Sequence, residues 1–167
     1  MEEQSLKQGL PPIAGPLTRV FILGSLPGDR SIEQGQYYAH RTNQFWKLVG
    51  SAIGEDLQSL PYGSRLEVLA DHRIGLWDVV GAARREGSAD HAIRDAVHND
   101  IGGLKHDYPH LEAIAFNGGK AAKEGLRLLA GIEDLELVAL PSSSGLAAIP
   151  FAEKARAWAR LAEYCGG

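Results

Sequence analysis

The chain has 167 residues and a 44% hydrophobic share, enough for one domain with a buried core and too few for two comfortable ones. Its single cysteine, Cys165, excludes an intrachain disulfide and suits a reducing cytoplasm, the expected location. A formal net charge of -4 excludes a uniformly basic surface and weighs against nucleic acid as a partner, although it does not say where the charges sit.

Residues 1–16 are polar and proline-bearing, without the cationic start and apolar run of a signal peptide, and read as a loose N-terminal arm. Residues 17–167 read as one domain, with no apolar run long enough to span a membrane. Four branched apolar runs predict buried strands over 19–23, 74–77, 113–116 and 135–140. After the first strand, Phe45, Leu48, Val49, Ala52 and Ile53 recur along one helical face, with Thr42 or Asn43 as N-cap. Leu66, Leu69 and Ala70 predict a second helix, and Ala92, Ile93 and Ala96 a third. Segments 120–129 and 152–164 complete the helical set. Strands alternating with helices imply parallel pairing, right-handed crossovers and helices on both faces of the sheet. The expected fold class is therefore α/β, a three-layer α/β/α arrangement around a central four-stranded parallel sheet. Ligands gather at the carboxyl ends of the strands in such folds.

Four loops leave those strand ends. The first holds Gly24, Ser25, Leu26, Pro27, Gly28 and Asp29, and runs on to Tyr37, Tyr38, His40, Asn43 and Trp46. Its glycines either let backbone N–H groups approach a ligand or simply make a tight connection. Tyr37 and Tyr38 offer faces for stacking a base, or the lid of a core. Asn43 is placed to cap a helix, and Asp29 is a general base or a turn residue. The second loop carries Asp78, then Arg84 and Arg85. The third, Asn117-Gly118-Gly119-Lys120, lacks the spacing of a nucleotide-binding phosphate loop. Asn117 can present both a donor and an acceptor to a base edge, or serve a turn. The fourth loop, Ser142-Ser143-Ser144-Gly145-Leu146, does not match a serine nucleophile elbow. His106 and His110 lie four apart with Pro109 between them and no third ligand, so no metal is expected. These residues alone leave open a nucleotide-binding α/β enzyme and a DNA-binding module without catalysis.

Taken together, the loops resemble the uracil-DNA glycosylase superfamily, in particular its hypoxanthine (deoxyinosine) DNA glycosylase branch. The likeness rests on Ile22-Leu23-Gly24-Ser25-Leu26-Pro27-Gly28, on Tyr37-Tyr38-Ala39-His40 with Asn43-Gln44-Phe45-Trp46, and on Leu140-Pro141-Ser142-Ser143-Ser144. Gly75-Leu76-Trp77-Asp78-Val79 and Phe116-Asn117-Gly118 support it. The stretches 39–46 and 144–146 are also similar to mismatch-specific uracil/thymine glycosylases. The resemblance implies a monofunctional DNA N-glycosylase of base excision repair that flips out a deaminated base, hypoxanthine or uracil, and leaves an abasic site. Leu26 stands where most of the superfamily has a water-aligning Asp or Asn. The branch moves that role to the position of Asn43, with Asp29 held in reserve. The resemblance further assigns base binding to Gly24, Ser25, Leu26, Pro27, Gly28, Tyr38, Asn117 and Asp78. DNA binding falls to Ser142, Ser143, Ser144, Gly145, Leu146 and Lys120, with Leu146 as the wedge that fills the vacated stack. The branch commonly has Ser-Pro where this chain has Ser144-Gly145. No cofactor is implied, and the expected state is a monomer acting on DNA that contains deaminated bases.

Overall fold

The strand and helix signals meet in a computed structural model that describes residues 6–165. The elements in chain order are β1 (Leu6–Gln8), β2 (Val20–Gly24), α1 (Asp29–Gln34), α2 (Phe45–Ile53), α3 (Tyr62–Asp71), β3 (Ile74–Asp78) and β4 (Val80–Arg84). They continue with β5 (Arg94–His98), α4 (Leu104–Asp107), β6 (Ala113–Asn117), α5 (Gly119–Leu128), β7 (Glu136–Leu140) and α6 (Phe151–Trp158). A 3-10 turn over Ala159–Glu163 extends α6 where one continuous helix is expected.

Four strands pair in parallel in the order β3-β2-β6-β7. Alternation along each strand divides the core in two, because successive side chains point to opposite faces. Val20, Ile22, Ile74, Leu76, Ala113 and Ala115 meet Phe45 and Leu48 of α2, Leu69 of α3 and Trp158 of α6. On the other face Phe21, Leu23, Ile114 and Phe116 meet Leu104 of α4 and Ala121 and Ala122 of α5. Full burial of each large apolar side chain contributes about 1.5–3 kcal/mol. The result is the expected three-layer α/β/α sandwich, a stiff platform whose strand ends hold the loops. Among the described residues no helix is long and apolar enough to cross a membrane.

Two expectations fail. Ala92, Ile93 and Ala96 do not form a helix. The chain makes a short 3-10 turn over Asp90–Ala92 and then strand β5, antiparallel to β4. Only Ile93 of the three is buried, packed with Leu26, Val80 and Ala83, so pairing with β4 overrides a weak helical spacing. The N-terminal arm is not loose over its described part. β1 pairs antiparallel with β4, Ile13 bridges to Leu76, and Tyr37 Oη donates to the carbonyl of Pro11 at 2.7 Å. Its residues 1–5 lie outside the described residues. These contacts make β1-β4-β5 a second, small sheet. It lies beside the carboxyl ends of the parallel strands and lends residues to the site.

Candidate active site

β2, β3 and β6 end on Gly24, Asp78 and Asn117, so three loop residues begin where rigid sheet stops. Together with the loops after α1 and β7 they line a pocket of about 750 Å³, within the range of small-ligand sites. Gly24, Ser25, Leu26, Pro27, Gly28, Asp29, Tyr38, Asn43, Asp78, Asn117 and the run Ser142 to Leu146 all border it. Lys120 does not. Its ammonium reaches Glu124 Oε1 at 3.2 Å, within a cluster that also holds Arg127 and His98.

The floor explains the glycine at position 24. A Cβ there would stand 2.6 Å from Asp78 Oδ1 and 3.1 Å from the Tyr38 hydroxyl, so only glycine lets these two groups close over the strand end. Asp78 is 4% exposed, and its Oδ2 has no hydrogen-bond partner among the described residues. Burial, reinforced by the negative charge of Asp90, pushes its carboxyl up to about 7, with Arg85 and the Gly24 N–H opposing. The Tyr38 hydroxyl is likewise buried and lies close to the Asn117 amide. Tyr38 has φ 55, an unusual conformation for a bulky residue, and its ring stacks on Phe45 at 3.9 Å between centroids and 12° between planes. Tyr38 lines the pocket and Phe45 does not, so the pair forms a backed aromatic platform.

Beside this platform, two amides are joined through one serine. Asn117 Oδ1 accepts the Ser143 N–H at 2.9 Å, and Asn117 Nδ2 donates to Ser143 Oγ at 2.8 Å. Ser143 Oγ donates in turn to Asn43 Oδ1 at 2.7 Å. Asn43 Oδ1 also accepts the N–H of Phe45, the first residue of α2, at 2.9 Å. Asn43 therefore caps α2, as expected, though from the residue before the N-cap position. Gln44 takes the N-cap position without a side-chain bond. Ser143, expected at the DNA surface, is 1% exposed, and its N–H, carbonyl and hydroxyl are all bonded inside the protein.

The rim is apolar at one point. Leu146 is 92% exposed, held on a turn in which its N–H donates to Ser144 Oγ. Neighbouring Gly145 is packed so closely that a Cβ would lie 2.7 Å from the Thr42 carbonyl. Asp29 borders the pocket at the start of α1, in a 2.7 Å ion pair with Lys7. Arg85, which follows Arg84 on the second loop, is 1% exposed and donates to the carbonyls of Leu26, Pro27 and Gly87. It holds the glycine loop from behind and faces no phosphate.

Several pocket residues escape the sequence reading. Ser88, Asp90 and His91 come from the β4–β5 connection, and Asp90 Oδ1 accepts the Ser25 hydroxyl at 2.6 Å. Treating 92–96 as a helix hides them. Lys154 is 1% exposed and donates to Gln44 Oε1 at 2.8 Å and the Ser144 carbonyl at 3.1 Å, joining the loops before α2 and after β7. Burial lowers its pKa. A lysine four residues before buried Trp158 stands on the inward stripe of α6, and that spacing is a visible signal. Among the described residues no group of three or more His, Cys, Asp or Glu side chains is disposed to hold a metal ion. The site offers amide donors, one carboxyl pushed up toward neutrality, and an aromatic platform, within a pocket of about 750 Å³.

Comparison with known proteins gives a consistent picture. Residues 11–162 match the family model of the uracil DNA glycosylase superfamily. A hypoxanthine DNA glycosylase from Methanosarcina acetivorans is 50% identical over 140 residues, covering 84% of this chain and 87% of that one. Its counterpart from Methanosarcina barkeri is 51% identical over 117 residues, covering 70% and 74%. A solution NMR structure from Methanosarcina acetivorans, provisionally described as a uracil DNA glycosylase, superposes with a TM-score of 0.86 at 43% identity. That superposition covers 96% of this chain and 99% of the other.

Proposed function

The chain belongs to the uracil DNA glycosylase superfamily, and from that premise we propose that it is a DNA repair glycosylase that excises a deaminated base, hypoxanthine or uracil, from DNA. The observation that carries this reading is the pairing of a pocket walled by two amides and a backed aromatic with a fully presented leucine on its rim. A base turned out of the duplex stacks on Tyr38, and Leu146 fills the gap it leaves. Main-chain groups of the 24–28 loop and the amide of Asn117 bind the base edge. Hypoxanthine and uracil both present a carbonyl beside an N–H. Adenine and cytosine present the reverse and leave buried groups unpaired.

The reaction is a hydrolysis. The bond between C1′ and the base nitrogen breaks as the base takes the electron pair, and a water oxygen adds to C1′. The water's proton ends on the departing base. Asn43 positions that water, and the preorganised dipoles of the pocket stabilise the departing anion. Asp29, already paired with Lys7 on the rim, remains the reserve candidate. A monomer is the proposed state, and the single cysteine, Cys165, suits action in a reducing cytoplasm.

The test is base release from duplexes and single strands carrying hypoxanthine, uracil, xanthine or a thymine mismatch, followed by chromatography of the free base. Free hypoxanthine or uracil is expected, with an intact strand bearing an abasic site. Binding to damaged DNA with no base released from any substrate would leave a binding module in its place.

A further inference from the structure

The polarity of the Asn117–Ser143–Asn43 chain is fixed at both ends by groups that can only donate. The Ser143 N–H sets Asn117 Oδ1, which leaves Asn117 Nδ2 to donate to Ser143 Oγ. The Phe45 N–H sets Asn43 Oδ1, so the serine hydroxyl must donate to that same oxygen. Asn43 Oδ1 thus accepts two hydrogen bonds and is turned away from further work. What Asn43 has left for the pocket it lines is its NH2 group.

We propose that Ser143 is a positioning residue for base excision, locking Asn43 with its carbonyl inward and its NH2 group toward the reacting centre. This deepens the glycosylase reading and rests on it. Asn43 then works as a donor. It holds the water through one lone pair of the water oxygen while the other faces C1′. An acceptor that pulled a proton from that water would need the opposite orientation, which the two bonds to Asn43 Oδ1 oppose. The main chain of Ser143 supports the same arrangement, since its carbonyl accepts the Gln44 N–H at 2.8 Å beside Asn43.

The experiment measures single-turnover release of hypoxanthine from a duplex for wild type, Ser143→Ala, Asn43→Ala, the double variant and Asn43→Asp. Binding is measured separately on a duplex carrying 2′-fluoro-deoxyinosine, whose glycosidic bond resists cleavage. Ser143→Ala removes the bond to Asn43 and the one accepted from Asn117, while the Ser143 N–H still holds Asn117 Oδ1; release should slow about tenfold through Asn43, with the Kd changed less than about twofold. In the Asn43→Ala background the same change should cost nothing more, because the residue it positions is gone. Asn43→Asp keeps both acceptor contacts and removes the donor, so it should be as slow as Asn43→Ala. An equal loss in both backgrounds, or a loss seen only in Kd, overturns the positioning role. Wild-type rates for Asn43→Asp overturn the donor role, and that arm holds even if Ser143→Ala fails to fold. A wild-type chain that releases no base contradicts the glycosylase reading instead.

Discussion

Replacing Asp78 with asparagine removes the one pocket carboxyl that burial drives toward neutrality. Its pKa rises from an ordinary 3.8 to about 7, chiefly through desolvation, with Asp90 adding repulsion. At about 1.4 kcal/mol per pKa unit, the folded state holds the ionised form at a cost of about 4 kcal/mol. The folded-state value lies above the unfolded one. The contribution to stability is therefore whole below about pH 4 and is lost as pH rises through about 7. Between about pH 5 and pH 8 that loss is about 2.5 kcal/mol. The amide that replaces the carboxyl in the variant has nothing to ionise. Urea unfolding of wild type and Asp78→Asn at both pH values isolates the effect from all other titrating groups. The variant should gain about 2.5 kcal/mol relative to wild type on going from the lower pH to the higher. An identical difference at both values would refute the reasoning, because Asp78 would then ionise as an ordinary carboxyl.

Other outcomes follow from the rim and its supports. Leu146→Ala should lower base release from duplex roughly tenfold and leave single-stranded substrate nearly unchanged, since only the duplex has a stack to fill. Equal losses on both substrates would remove the wedge role. Gly145→Ala drives a methyl toward the Thr42 carbonyl, so the 142–146 loop must shift; activity should fall several-fold in parallel on duplex and single strand. Unchanged rates on both would show that the Thr42 contact yields freely. Lys154→Met keeps the packing volume while removing a buried cation and its two bonds to Gln44 and Ser144. Thermal stability should change little, since losing a desolvated charge offsets lost bonds, yet base release should drop as the two loops uncouple. A large fall in the melting temperature with normal activity would assign Lys154 to stability alone.

β2, β3 and β6 were legible as apolar runs, because buried parallel strands have no polar face to confuse the pattern, whereas edge strand β7 carries exposed Glu136 and Ala139. The pocket followed from them. Gly24, Asp78 and Asn117 end their strands, and strand ends are where such folds bind ligands. What sequence hid depends on contacts across the chain. Three small apolar residues at 92, 93 and 96 fit a helix locally, but the open edge of β4 recruits 94–98 as a strand, and the pocket gains Asp90 and His91. A run of three serines gives no sign of which one turns inward. Only the fold shows that Ser143 is buried and bonded to Asn43 and Asn117. The role of Arg85 was hidden for the same reason, since it donates to backbone carbonyls of the 26–27 segment that lie far away in sequence.

The most direct test of base excision without a covalent intermediate is a product balance on a hypoxanthine-containing duplex, run with and without borohydride. One free hypoxanthine should appear per strand processed, leaving an uncut strand with an abasic site and no protein–DNA adduct trapped by the reductant. Strand cleavage with a trapped adduct, or lesion binding without free base, would contradict it.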